Sequence, residues 1–204
     1  MQEIFLSASV PIEGRGDYFK TSNPFLIQTA VRELISAVIE HRTIVWGGHP
    51  AITPMVWQIC QDLGKGLAER VVLYQSMFFD GQFPEENAWF PNVIYTEKVG
   101  EDLQQSIALM RRKMLGRVDL SAAVFIGGME GITDEFHRFR EFHPLALVLP
   151  VAAPGGAARG LAQTFAGRNG GRLDTLNFAR LFREELLTAD ERVAPPRDPE
   201  EPKR

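Results

Sequence analysis

The stretch that most constrains this chain is Ser121-Ala-Ala-Val-Phe-Ile-Gly-Gly-Met-Glu-Gly-Ile-Thr-Asp-Glu-Phe-His-Arg-Phe139. Ala122 to Ile126 is apolar and short enough for a strand buried on both faces. Gly127 and Gly128 break the run, and Gly131 follows. Apolar residues return at helical spacing with Phe136 and Phe139, after the polar set Thr133, Asp134 and Glu135. Strand, glycine turn and helix start is the order in which backbone N–H groups and a helix N-terminus face an anion. The same order also occurs in βα turns that bind nothing. Here the pattern occurs twice. Thr43 to Trp46 reads as a strand, runs into Gly47-Gly48-His49-Pro50, and a helix follows to about Leu63.

The rest of the chain alternates in the same way. Glu3 to Ala8 is predicted as the first strand, followed by a loop from Val10 to Ser22 that holds Pro11, Gly14, Arg15, Gly16 and Asp17. Phe25 to His41 carries Ile27, Val31, Leu34, Ile35, Val38 and Ile39 at helical spacing, with Asn23 as cap and Pro24 in the first position. Arg70 to Tyr74 and Val93 to Thr96 are predicted strands. They flank an irregular, aromatic segment from Gln75 to Asn92. Glu101 to Leu115 is a helix with Leu103, Ile107, Met110 and Met114 on one face and Arg111, Arg112 and Lys113 at its end. The helix after the second glycine turn runs through His143. Ala146 to Leu149 is a strand and Pro150 to Gly156 a turn, and a small-residue helix continues to about Phe165. Gly167 to Gly171 reads as a loop and Leu173 to Leu187 as the last helix. From Ala189 the chain is Pro-rich and charged, the composition of a disordered tail. This alternation predicts an α/β domain over residues 1–190, a doubly wound, mainly parallel sheet with helices on both faces, then a tail over 191–204.

Such sheets bind ligands beyond the carboxyl ends of their strands. That edge gathers Ser7, Ser9 and Arg15 after the first strand, Gly47, Gly48 and His49 after the second, and Gly127, Gly128, Met129, Glu130, Gly131 and Thr133 at the later turn. These are the candidate ligand contacts. The basic helix end either complements the helix dipole or turns one residue inward to a phosphate or carboxylate. A formal charge of −4 argues against bulk binding to nucleic acid or an anionic membrane. The single cysteine, Cys60, sits on an apolar helical face and reads as core. His41, His49, His137 and His143 do not make a compact metal set with Cys60. No cofactor is implied. Gly-x-Ser-x-Gly and Gly-Lys-Thr motifs do not occur. Neither a secretory leader nor an apolar run long enough for a bilayer is visible, so a cytoplasmic location is expected.

Taken together, these residues resemble the SLOG superfamily, the Rossmann-like group that includes the LOG-type cytokinin-activating phosphoribohydrolases and the DNA-processing protein A family. The LOG pattern is an Arg-Lys helix end, a strand and a Pro-Gly-Gly-x-Gly-Thr-x-x-Glu turn. Arg112-Lys113, Gly127-Gly128, Gly131 and Glu135 match it here. By that resemblance Arg112 and Glu135 inherit the catalytic pair. Ile126 stands in place of the family proline, Met129-Glu130 adds a residue before Gly131, and Ile132 precedes Thr133 where the family has its threonine. The opening Phe5-Leu-Ser-Ala-Ser9 and both glycine turns look closer to stand-alone or TIR-associated SLOG proteins. The resemblance therefore implies a sensor domain that binds a nucleotide derivative, ADP-ribose or NAD-like, in a bacterial defence or signalling system. The alternative is a phosphoribohydrolase that cleaves the N-glycosidic bond of a nucleoside monophosphate. Retention of Arg112 and Glu135 favours the enzyme, and loss of the proline and threonine favours the sensor. A homo-oligomer and a TIR or effector partner are implied as well, and the aromatic segment from Phe78 to Phe90 suits an interface.

Overall fold

The computed structural model describes residues 2–64, 66–165 and 172–193. Six strands, β1 (Glu3–Ser9), β2 (Thr43–Trp46), β3 (Val71–Ser76), β4 (Asn92–Thr96), β5 (Leu120–Gly127) and β6 (Leu147–Val151), form one sheet in the order β4-β3-β2-β1-β5-β6. Every neighbouring pair is parallel. The helices are α1 (Tyr18–Thr21), α2 (Pro24–Val38), α3 (Thr53–Leu63), α4 (Leu103–Leu115), α5 (Glu130–Phe142), α6 (Gly156–Thr164), α7 (Phe178–Leu186) and α8 (Ala189–Val193). This is the Rossmann-like, doubly wound arrangement that the alternation predicted.

Parallel strands covered on both faces need apolar side chains pointing both ways, and β1 shows the division. Ile4 and Leu6 join α2, α3 and α7 residues such as Leu34, Val56 and Phe182 in one core. Phe5 points to the other, with Met114, Phe136, Phe139 and Leu161 of α4, α5 and α6. There the rings interlock: Phe5 lies 6.1 Å from both Phe125 and Phe139, and Phe125 lies 5.6 Å from Phe136. β1 pairs with β2 on one side and β5 on the other, so the chain changes direction across the sheet at this strand. That change of direction is where doubly wound sheets open a crevice.

The helix starts are set by local chemistry. Asn23 accepts from the Leu26 N–H at 3.2 Å ahead of Pro24, and Asp102 accepts from the Gln105 N–H at 3.0 Å. Four expectations are corrected. β3 runs on to Ser76, and the segment after it folds into short turns at Met77–Phe79 and Glu85–Trp89. β6 continues through Pro150, which an edge strand tolerates because its missing N–H belongs to no ladder. The helix expected from Leu173 to Leu187 starts at Phe178, because the Asn177 side chain accepts from the Arg180 N–H at 3.1 Å and opens a new helix. Ala189–Val193 is helical instead of disordered. Glu191 there grips Arg42 through two hydrogen bonds of 2.6 and 2.8 Å. The expected loop at Gly167 to Gly171 and the tail beyond Val193 lie outside the described residues. No helix among the described residues is long and apolar enough to cross a membrane.

Candidate functional site

A cleft of about 550 Å³ opens at the carboxyl ends of β1 and β2, between the Gly47–His49 turn and the first turns of α4 and α5. β1 sends Ser7 toward α5. The Ser7 hydroxyl donates to Glu135 Oε2 at 2.6 Å, and Arg111 Nε donates to Glu135 Oε1 at 3.0 Å. The carboxylate is thus held from both sides, and the Arg111 and Glu135 side chains are each only 15% exposed. The rest of the Arg111 fork is engaged too. Nη1 reaches Asp134 at 3.5 Å and Nη2 donates to the Gly131 carbonyl at 3.4 Å. A Cβ at position 131 would lie 2.8 Å from Arg111 Nη2, so the glycine makes room for the guanidinium to lie across the helix start.

The start of α5 forms one wall. The first N–H groups of a helix have no intrahelical partner. Here Met129, Glu130 and Gly131 line the cleft, and the N-cap residue Met129 makes no side-chain cap. Across the mouth, Arg15 Nη2 pairs with Glu130 Oε2 at 3.1 Å. On the opposite wall, Gln75 Nε2 donates to the Gly47 carbonyl at 2.7 Å, fixing the first glycine turn. His49 Nδ1 accepts from the Ala51 N–H at 3.2 Å, which leaves the ring proton on Nε2. Burial lowers the His49 pKa, so the ring is a neutral N–H donor at pH 7. The lining therefore sets two guanidinium groups, Arg15 and Arg111, against three carboxylates, Glu130, Asp134 and Glu135. Among the described residues, no three His, Cys, Asp or Glu side chains gather as a metal would require.

The cleft collects most of the residues expected from sequence: Ser7, Ser9, Arg15, Gly47, Gly48, His49, Met129, Glu130, Gly131 and Glu135 all line it. Four do not. Arg112 is exposed on α4 away from the lining, and Arg111 takes its place beside Glu135. Thr133 lies off the lining on α5. Gly127 and Gly128 are buried behind the cleft, and the Gly128 N–H is spent on the Ser9 carbonyl at 2.9 Å. The Gly128 carbonyl in turn accepts from Ala157 N–H at 2.9 Å, and a Cβ at Gly156 would come within 2.7 Å of the Gly127 backbone. This glycine pair lets two backbones touch. Leu6, Ala8, Trp46, Leu103, Gln104, Ile107, Ile132 and Asp134 also line the cleft and were not among the candidate contacts read from sequence. The missed signal for Arg111 is spacing: it stands four residues after Ile107 and three before Met114, on the inward stripe of α4, whereas Arg112 is turned a further ~100°.

Comparison with known families gives a match. The family described as the SLOG cluster3 family matches residues 17–186. Neither the curated proteins nor the solved structures yield a match to the chain.

Proposed function

The chain belongs to the SLOG cluster3 family, and we propose that it is a sensor domain whose cleft holds a nucleotide derivative of the ADP-ribose or NAD type. Family membership fits a nucleotide-related function. The observation that carries the reading is the meeting of Ser7, Arg111 and Glu135 beside the open N-terminus of α5. The helix start, with Arg15, offers donors to phosphate oxygens. Glu135, held still, offers acceptors to ribose hydroxyls. His49 Nε2–H is a further neutral donor. All three nitrogens of Arg111 are committed to protein oxygens, which suits a residue that positions Glu135 more than one that assists a departing base. Readout would pass through a homo-oligomer or a TIR or effector partner in a bacterial defence or signalling system.

One observation favours the second reading, hydrolysis of a nucleoside monophosphate at its N-glycosidic bond. A carboxylate oriented from two sides and mostly shielded from water is what an oxocarbenium-like ribose needs beside it. The test is a thermal-shift screen with nucleoside monophosphates, NAD, ADP-ribose and cyclic ADP-ribose isomers, with chromatography of each mixture afterwards. A ligand that raises the melting temperature and is recovered intact supports the sensor, because selective binding to the folded state raises apparent stability. A monophosphate returned as free base and ribose phosphate, with turnover lost in Glu135→Gln, overturns it in favour of the enzyme.

A further inference from the structure

We propose that Glu130 is a resident stand-in for the ligand's anionic group: it keeps Arg15 across the cleft mouth until a phosphate takes the guanidinium over. The proposal rests on reading the cleft as a nucleotide site. Arg15 is carried by a stretch, residues 12–17, that is exposed throughout. Among the described residues no backbone hydrogen bond ties residues 11–16 to the body, and the tie the structure gives is Arg15 to Glu130 at 3.1 Å. A Cβ built at Gly14 would meet nothing within 4 Å, so this point of the stretch is not packed against the body. Glu130 is the first residue of α5 and the acidic residue of its first turn. Its carboxylate thus sits at the helix end where an incoming anion would settle, and both partners line the cleft.

The strength of the contact defines what can displace it. The side chains are 55% and 53% exposed. Exposed pairs of this kind shift an equilibrium by about fivefold at most. A monoanionic carboxylate would only replace like with like. A terminal phosphate, with up to two charges on three acceptor oxygens, or a pyrophosphate, with two charges over four non-bridging oxygens, forms the stronger pair with arginine. The exchange therefore selects ligands bearing a phosphate over carboxylates of similar size, and it moves Arg15 and its loop when they bind. Glu130 sets the threshold for entry, and Arg15 reads the phosphate.

AMP and adenosine, a matched charged and neutral pair, are titrated into the full chain and into Glu130→Gln, Arg15→Gln and the double variant. ADP-ribose serves as a second phosphorylated probe. Hydrogen exchange of residues 10–17 is followed without ligand. The expected result is AMP binding about three- to fivefold tighter in Glu130→Gln and about tenfold weaker in Arg15→Gln. Adenosine binding is unchanged, and exchange in the loop is faster in both single variants. In the Arg15→Gln background the gain from Glu130→Gln shrinks below about twofold. An equal gain in that background shows plain repulsion and overturns the exchange, as does AMP bound alike by wild type and Glu130→Gln. Unaltered loop exchange in both single variants overturns the contact as a fastening. If neither AMP nor ADP-ribose binds any variant, the nucleotide reading of the cleft falls, and the stand-in role falls with it.

Discussion

Gly128→Ala separates a packing turn from a phosphate cradle. Gly128 has φ +69°, and an added Cβ would overlap the Ile132 side chain and lie 3.0 Å from Ser9 Oγ. Left-handed backbone costs a non-glycine residue about 1–2 kcal/mol. Overpacking a buried site adds about 1–3 kcal/mol. Stiffening of the unfolded chain gives back about 0.4–1 kcal/mol. The net loss is about 1–4.5 kcal/mol, or roughly 2–18 °C in melting temperature for a chain of this size. Urea denaturation with fixed slope measures it. Ile132→Ala removes both side-chain carbons that the new Cβ meets, Cδ1 and Cγ1, so in that background the same substitution should cost only the backbone share, about 1–2 kcal/mol. The folded variant should bind its ligand within about twofold of wild type, because the Gly128 N–H already belongs to Ser9. Unchanged stability refutes the packing argument. So does a binding loss above about tenfold in a variant whose stability is intact.

Two further outcomes follow from ionisable groups. The hydrogen bonds from Arg42, helped by those at Thr188, hold the Glu191 carboxyl down at about 2. A carboxyl depressed in the folded state contributes stability that is complete above its unfolded value, about 4.3, and is lost as pH falls toward 2. Acid titration of stability should therefore show a loss between those limits that Glu191→Gln lacks. At pH 7 that variant should be weaker by about 1–2 kcal/mol, a modest figure because the pair is partly solvated. Burial pushes the Cys60 thiol up to about 11. A maleimide at pH 7.5 should label it only as fast as the protein opens, so labelling that is fast and independent of urea refutes its burial.

Much of the fold was legible because its signals are local. Short apolar runs closed by glycine gave β2 and β5, an apolar run ending in Ser7 and Ser9 gave β1, and β2 falls on Thr43–Trp46 as expected. Pro150 misled because proline reads as a breaker, and only the sheet order reveals an edge strand that accepts it. The site was legible as a place before it was legible as a geometry. The strand order brings the Ser7, Gly47 and Glu130 segments to one edge, which alternation alone predicts. Which arginine of Arg111-Arg112 faces Glu135 is a matter of helical phase, and adjacent residues differ by ~100°. Paired glycines carried two meanings at once. At Gly47-Gly48 they border the cleft. At Gly127-Gly128 they admit a neighbouring backbone, and that neighbour, Gly156, is 28 residues away in sequence and invisible to a local motif.

The central place of β1 has a consequence for how the molecule is made. Glu3 pairs with Thr43 on one side but with Leu120 on the other. During synthesis the first flank of this strand closes early. The second waits for the chain from Trp46 to Leu120, roughly 4–15 s at 5–20 residues per second. For that interval the growing sheet would present β1 as an open edge, an invitation to pair with a neighbouring chain. Slowed translation beyond Trp46, or a shortage of holding chaperones, should therefore lower soluble yield far more than changes near the carboxyl terminus.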